Sequence, residues 1–237
     1  MTARASSGLF GGTFNPIHVA HLRAAEDVAE ALGLERVIFV PSAGPPHKRP
    51  VGEDVLAPAE RRLAWVRQAV AGNPRFAVDD LEVARGGLSY TVETLRTYQE
   101  RLHPERPVFL IGQDALEEIG GWKEPERLLA LSHFAVMTRP PLPRRPLAEI
   151  LPRPLGEAFR FDPSGERAEH RTAGTWMRLL PITALSVSAS ELRQRLRSGR
   201  SVRYLIPEEV REDVLRSGIY AARCGERAEQ PADRKPS

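Results

Sequence analysis

The sequence alternates short apolar runs with longer segments in which apolar residues recur at helical spacing. The first run covers residues 6–10 and leads into Gly11 and Gly12, and the helical pattern that follows it stops at Gly33. Parallel strands need a long crossover connection between them, which is usually a helix. The alternation therefore predicts an α/β fold, a doubly wound, Rossmann-like parallel sheet with helices on both faces.

The same patterns place the remaining elements. The predicted strands are residues 6–10, 36–40, 76–83, 107–111, 133–138 and 177–181. Helical spacing marks residues 19–32, 63–70, 92–102, 127–131, 191–196 and 207–217. Loops are predicted at residues 43–55, at residues 120–122 and along the Pro- and Arg-rich stretch 139–174. We expect residues 1–222 to form a single domain and the polar tail 223–237 to be disordered.

Composition excludes several classes of protein. Lys and Arg number 34 against 31 Asp and Glu, a net charge of +3 that is too weak to indicate a nucleic-acid partner, although a small anionic ligand is compatible. The single cysteine, Cys224, excludes a disulfide within the chain and a cysteine-built metal site. No apolar run approaches the roughly 18 residues of a membrane span, so we expect no membrane association and a cytoplasmic location. The oligomeric state stays open, and a homo-oligomer is compatible with the sequence.

A candidate anion site follows the first strand, where the sequence reads GGTFNPIHVAH over residues 11–21. Adjacent glycines allow a phosphate to approach backbone N–H groups, and the helix that follows presents its positive end there. His18 and His21 are three residues apart, so both imidazoles can donate from one face of the first turn. The alternatives are an ordinary glycine turn and a zinc site, for which no third ligand is evident. The sequence contains neither a P-loop motif nor a G-x-G-x-x-G fingerprint.

A second candidate anion site lies near the end of the chain. Ser188 and Glu191 have the spacing of a capping box, which predicts a helix start. Ser190 and Arg193 then share one helix face, where a hydroxyl and a guanidinium can meet a phosphate together. Taken alone, this motif is better explained by a capping Ser188 and a solvated Arg193. Two such helix ends in one small sheet, however, could hold a triphosphate between them.

Together the two motifs resemble the paired signature of the nucleotidyltransferase superfamily with the H-x-x-H motif. Five further segments follow in order: VP at 40–41, PPHK at 45–48, SYTVETL at 89–95, IGQD at 111–114 and Trp122. With these segments the chain resembles, more narrowly, the bacterial nicotinate-nucleotide adenylyltransferase family over about residues 7–220. The chain departs from the family at VSAS (187–190), where the family has Ile-Ser-Ser-Thr, at Gln113 in place of Ala, and at Asn15 in place of a frequent acidic residue.

The resemblance implies adenylyl transfer from ATP to nicotinate mononucleotide, with Mg²⁺ bridging the ATP phosphates and no protein side chain assigned as a ligand of the metal. It places His18 at the α-phosphate, and His21 and Arg193 at the β- and γ-phosphates. The remaining residues implied for ATP are Gly11, Gly12, Thr13, Phe14, Asp114, Ser188 and Ser190. Asp114 is placed on the ATP side through the ribose, and a helix N-cap is the competing interpretation.

For the second substrate, the resemblance points to Tyr90, Thr91 and Trp122, with Trp122 stacking on the pyridine ring. His47 and Lys48 are placed at the mononucleotide phosphate. Simple packing of Tyr90 and Trp122 and a solvated basic loop at residues 47–48 are the alternatives. Three other functions stay open. One is pantetheine-phosphate adenylyltransferase, which uses a similar cradle on a shorter chain, and a more distant one is a cytidylyltransferase. The third is a nucleic-acid or Pro-motif interaction protein based on residues 139–153. The preference for nicotinate over nicotinamide is not settled by the sequence.

Overall fold

A computed structural model describes residues 7–46, 55–138 and 145–222. It contains one eight-stranded sheet in the order β3-β2-β1-β4-β5-β8-β7-β6. The strands are β1 (Ser7–Gly12), β2 (Arg36–Pro41), β3 (Phe76–Val78), β4 (Val108–Gly112), β5 (His133–Thr138), β6 (Phe159–Phe161), β7 (Arg167–His170) and β8 (Trp176–Pro181). The six strands from β3 to β8 in this order are parallel, and β7 and β6 extend the sheet antiparallel.

Ten helices of the described residues connect or flank these strands. They are α1 (Val19–Leu32), α2 (Ala59–Val70), α3 (Leu81–Arg85), α4 (Thr91–Leu102), α5 (Gln113–Glu117), α6 (Pro125–Leu131), α7 (Leu147–Ile150), α8 (Arg153–Gly156), α9 (Ala189–Arg197) and α10 (Glu208–Ser217). A single 3₁₀ turn, Ile119–Gly121, follows α5. None of these helices is both long and apolar enough to cross a membrane.

The core lies on both faces of the sheet. Along β4, Val108 and Leu110 join one cluster of buried residues, while Phe109 and Ile111 join the other. Alternate residues of a strand point to opposite faces, so these two clusters are the two sides of the sheet. Helices α1, α2 and α10 cover the first side, and α4 and α6 cover the second. The predicted doubly wound α/β fold is confirmed, in a sheet that is mixed rather than wholly parallel.

Three predicted segments differ from the structure. The stretch 139–174 is not a simple loop, because its described part forms α7, α8 and the β6–β7 pair. Extended structure predicted over 76–83 ends at Val78, since the Asp79 carboxylate accepts the Leu81 N–H at 2.9 Å and α3 begins. The loop predicted around residues 120–122 is a 3₁₀ turn that is anchored by buried Ile119. Residues 47–54, 139–144 and 223–237, including the predicted tail, lie outside the described residues.

Candidate active site

The loops after the parallel strands meet at the carboxyl edge of the sheet. The strand order reverses direction between β1 and β4, the position at which doubly wound sheets form a ligand crevice. Gly12 ends β1 at this point, and a Cβ there would lie 2.8 Å from the ring of Phe14. This glycine is therefore needed so that the buried Phe14 ring can pack against the backbone of the loop.

His18 and His21 lie together at the start of α1. His18 is the N-cap residue in extended conformation, and the two imidazole rings stack with centroids 3.7 Å apart. The Nδ1 atom of His21 accepts the backbone N–H of His18 at 3.2 Å, so the neutral ring carries its proton on Nε2. The neighbouring Val19 N–H donates to the carbonyl of Leu205 at 3.1 Å, so this first-turn donor is already used within the protein.

The second motif lies directly beside the first. Arg193 is buried, with 8% of its surface exposed, and its guanidinium donates to the Asn15 carbonyl at 2.9 Å and to the Ser190 hydroxyl at 3.0 Å. The alternative of a solvated Arg193 is therefore wrong. Ser188 caps α9 by accepting the Glu191 N–H at 3.2 Å, while the Glu191 carboxylate bonds to Arg195. Two segments 178 residues apart in sequence are thus joined in one loop cluster.

A cavity of about 290 Å³ lies at the end of β1, where Gly11, Gly12 and Thr13 line it, and its volume is close to the lower end of the sizes typical of small-molecule sites. Six residues predicted from the sequence line it together: Gly11, Gly12, Thr13, Tyr90, Thr91 and Trp122. The other described candidates, Phe14, His18, His21, Asp114, Ser188, Ser190 and Arg193, do not line this cavity. The cavity thus brings the described residues predicted for the pyridine nucleotide together with Gly11, Gly12 and Thr13, which were predicted for ATP, while the histidine, serine and arginine side chains of the cluster lie outside its lining.

Comparison with known proteins identifies the family. The model of the cytidylyltransferase-like family matches residues 9–195. A protein of Geobacter sulfurreducens named probable nicotinate-nucleotide adenylyltransferase is 41% identical over 217 residues, which cover 91% of this chain and 98% of that protein. One of the same name from Chromohalobacter salexigens is 42% identical over 214 residues, covering 90% and 94% of the two chains. The chain belongs to the nicotinate-nucleotide adenylyltransferase family.

Solved structures show the same fold at low sequence identity. Nicotinic acid mononucleotide adenylyltransferase of Plasmodium falciparum, in complex with NaAD, aligns with a TM-score of 0.67 and 17% identity. The alignment covers 90% of this chain and 96% of that one. The eight-stranded architecture is therefore the adenylyltransferase fold.

The side chain of Asn15 connects the adenylyltransferase loop to two other parts of the chain, the segment at 55–57 and Tyr220, a role that the sequence did not indicate. Its amide donates to the Val55 carbonyl at 2.8 Å and accepts the Ala57 N–H at 3.0 Å. The hydroxyl of Tyr220 donates to the same amide oxygen, and burial raises the pKa of this tyrosine. Asn15 stands where the family often has an acidic residue, and its amide supplies both a donor and an acceptor to these partners.

Arg62, on α2, is a second residue that the sequence analysis missed. Its side chain is fully buried and donates to three carbonyl oxygens, those of Thr13, Ala43 and Ala57, at 2.7, 2.9 and 2.9 Å. Burial lowers the pKa of its guanidinium. Arg62 directly precedes the helix predicted over 63–70, and only the apolar residues at helical spacing from it, Trp65 and Val66, could have indicated its burial.

Glu82, a third missed residue, lies behind the segment Tyr90-Thr91. Its buried carboxylate accepts the Thr94 hydroxyl at 2.5 Å and a hydrogen bond from Ser89, so it is bonded on both sides of that segment. Ser89 in turn accepts the Ala43 N–H at 2.9 Å. Burial raises the pKa of Glu82, and Arg85 acts against this shift. The loop that carries the predicted pyridine-binding residues is thereby tied to the loop after β2.

Two further predictions concern Asp114 and the loop at 47–48. Asp114 is exposed in the first turn of α5, whose N-cap is Gly112 without a side-chain cap bond, so the alternative of Asp114 as the N-cap is wrong. His47 and Lys48 lie outside the described residues. Within the described segments, no group of three or more His, Cys, Asp or Glu side chains could hold a metal ion.

Proposed function

We propose that the protein transfers the adenylyl group of ATP to nicotinate mononucleotide, giving nicotinate adenine dinucleotide and pyrophosphate in NAD synthesis. Membership of the nicotinate-nucleotide adenylyltransferase family supports this activity. One structural observation carries it for this chain: Arg193 is hydrogen-bonded to the loop of the H-x-x-H motif, beside the cavity lined by Tyr90, Thr91 and Trp122. ATP is a cytoplasmic metabolite, and we place the reaction in the cytoplasm.

The protein itself forms and breaks no covalent bond in this reaction. The nucleophile is the phosphate of the mononucleotide, whose second pKa of about 6 leaves it mostly dianionic at neutral pH. No general base is needed, so catalysis consists of aligning this oxygen with the α-phosphorus of ATP and stabilising the charge on pyrophosphate as it leaves. A cluster of histidine, arginine and serine donors suits this task.

Each side chain of the cluster has a distinct proposed role. His18, at the start of α1, hydrogen-bonds the α-phosphate, where negative charge develops during transfer. His21 donates from Nε2 to the outer phosphates, because its Nδ1 already accepts the His18 N–H. Arg193 adds a fixed positive charge, and its bond to Ser190 orients that hydroxyl beside it. The remainder of the ATP site is formed by Ser188, Gly11, Gly12, Thr13 and Phe14. Asp114 is proposed to contact the ribose of ATP.

The metal enters as part of the substrate. Among the described residues, the H-x-x-H cluster presents imidazole, guanidinium and hydroxyl groups rather than carboxylates. Magnesium prefers oxygen ligands and keeps several waters when it binds phosphates. ATP is therefore used as its Mg²⁺ complex, in which the phosphates and water supply the ligands.

The pyridine nucleotide occupies the cavity. Trp122 stacks on the ring, and the N-terminus of α4 at Thr91 offers backbone N–H groups to its carboxylate. Gly11 to Thr13 line the same cavity at the end of β1, which leads to His18. The mononucleotide phosphate thus faces ATP while the ring points away from it. His47 and Lys48 are proposed to close over this phosphate.

The decisive experiment compares three acceptors with the purified protein. Pyrophosphate release from ATP and Mg²⁺ is measured with nicotinate mononucleotide, nicotinamide mononucleotide and phosphopantetheine. Turnover that is fastest with nicotinate mononucleotide and yields the dinucleotide supports the proposal. Turnover with phosphopantetheine alone would identify the chain as the other type of adenylyltransferase considered above.

A further inference from the structure

The substrate cavity has an uneven distribution of charge. Among its described lining residues, the charged side chains are Glu82, Glu118 and Lys123. Glu82 is buried in the lining and accepts hydrogen bonds from Thr94 and Ser89. Lys123, immediately after Trp122, is the only cation among these described lining residues, and its side chain is 42% exposed.

The Lys123 ammonium has two partners in this structure. Its Nζ lies 4.4 Å from the centre of the Tyr90 ring and 2.7 Å from an oxygen of Glu93. The hydrogen bond to Glu93 raises the pKa of Lys123, so the side chain is positively charged at neutral pH. Both contacts hold the ammonium over the same wall that carries Thr91 at the N-terminus of α4.

We propose that Lys123 is a specificity-determining residue: its ammonium pairs with the carboxylate on the pyridine ring and favours the acid over the amide. This inference rests on the proposed function. An ammonium donates a charge-assisted hydrogen bond to a carboxylate, whereas the oxygen of a neutral carboxamide is only an ordinary acceptor. Selection between the two rings therefore follows from charge at this end of the cavity.

The position of Lys123 fits the ring end of the substrate rather than the phosphate end. Gly11, Gly12 and Thr13 line the part of the cavity at the carboxyl end of β1, from which the chain continues to His18. A mononucleotide whose phosphate faces that loop directs its ring towards Trp122. Lys123, the next residue along the chain, then contacts the carboxylate on the edge of the stacked pyridine ring.

The ion pair with Glu93 can be exchanged at low cost. Glu93 also lies 3.6 Å from the guanidinium of Arg85, so it keeps a cationic partner when Lys123 turns to the substrate. The side chains of Lys123 and Glu93 are 42% and 30% exposed, and partly exposed ion pairs contribute little net energy. The positive N-terminal end of α4 adds to the attraction for a carboxylate on this wall.

The test is the selectivity of Lys123→Met, measured as kcat/KM for nicotinate and nicotinamide mononucleotides at saturating ATP. We expect kcat/KM for the nicotinate substrate to fall about tenfold, the value of one charge-assisted hydrogen bond. The value for the nicotinamide substrate should change less than about twofold. Lys123→Arg, which keeps the charge, should retain most of the selectivity.

Arg127→Met is the matched control. Arg127 is an exposed cation on α6, paired with Glu124 at 3.7 Å, and it does not line the cavity. Its removal should leave both kcat/KM values within about twofold of wild type, since a surface ion pair of this kind has little influence at a distance. Thermal unfolding of each variant checks that the fold is retained.

Two results would overturn the inference. Equal losses for both substrates in Lys123→Met would show that Lys123 contacts the shared phosphate or ribose, and unchanged values would show a simple surface ion pair. If Lys123→Met fails to fold, Glu93→Gln replaces it. This change removes the ion pair that holds Lys123, so KM should fall for the nicotinate substrate only. A raised KM for that substrate contradicts the inference. Wild-type protein that turns over neither mononucleotide would refute the proposed function itself, which separates that failure from a failure of Lys123 alone.

Discussion

The guanidinium of Arg62 donates to the carbonyl oxygen of Thr13 at 2.7 Å, across the interface between helix α2 and the loop after β1. Its other nitrogens bond the carbonyls of Ala43 and Ala57, in the loop after β2 and just before α2. One buried cation therefore sets the relative positions of two connections at the carboxyl edge of the sheet, β1–α1 and β2–α2. Both line the substrate cavity, the first through Thr13 and the second through Ser42 and Pro45.

Replacement of Arg62 by methionine should destabilise the protein strongly. The change keeps most of the buried volume but leaves three carbonyl groups without this donor, and hydrogen bonds to a charged group are each worth about 1.5 to 3 kcal/mol. We expect the free energy of unfolding, measured by urea denaturation, to fall by about 3 kcal/mol or more. Arg61→Met is the control: Arg61 is 47% exposed and pairs with Asp213 at 3.3 Å, so its loss should cost under about 1 kcal/mol. Similar costs for the two variants would contradict this role of Arg62.

His18→Ala should abolish most of the turnover while the fold survives. His18 is proposed to stabilise charge that develops at the α-phosphate, and the loss of one such donor lowers kcat by about 10² to 10³-fold. Steady-state kinetics with both substrates measure the loss of kcat, and a circular dichroism spectrum shows whether the fold is retained. Near-normal kcat in a folded variant would remove His18 from the mechanism.

Trp122→Ala should act on one substrate only. Loss of the stacking surface is expected to raise KM for nicotinate mononucleotide about tenfold, since a buried aromatic contact contributes about 1 to 2 kcal/mol. KM for ATP should stay near the wild-type value, and it serves as the internal control. A change confined to KM for ATP would reverse the assignment of the cavity.

His133, at the start of β5, should make stability depend on pH. Burial, with Arg106 and Arg178 nearby, lowers the pKa of its imidazole from 6.5 to about 4, and its Nδ1 accepts the Trp176 N–H at 3.1 Å. The unfolded chain therefore binds a proton at higher pH than the folded one, and the stabilisation present above pH 6.5 is lost as pH falls towards 4. His133→Asn keeps an acceptor but does not titrate there. The unfolding free energy of the wild type should fall more steeply across this range than that of the variant, and parallel curves would contradict the assignment.

Much of the fold follows from local sequence patterns. The strand predicted at 133–138 matches β5 residue for residue, and α1 and α10 end at Gly33 and Gly218, both in the left-handed conformation that glycine favours. The β6–β7 pair was missed because the two strands are short and β7 reads Arg-Ala-Glu-His, with little apolar character. Their pairing depends on a neighbour, β8, that lies later in the sequence.

The site was predictable to the extent that its residues form motifs. The histidine pair and the Ser190–Arg193 pair were each found from spacing, and the structure joins them through Asn15. Arg62 and Glu82 were missed because charged residues are usually solvated, and only tertiary contacts show that these two are buried. The division between the cavity and the histidine cluster likewise depends on how loops from distant parts of the chain pack.

The hydrogen bond between Tyr220 and Asn15 spans 205 residues, and the Arg193 bond to the same asparagine spans 178. The glycine and histidine loop is synthesised well before Arg193 and Tyr220, the two partners that complete it. A polypeptide that stops short of these partners can therefore form the early strands and still lack a finished loop. Catalytic competence in this protein has to wait until both partners have been synthesised.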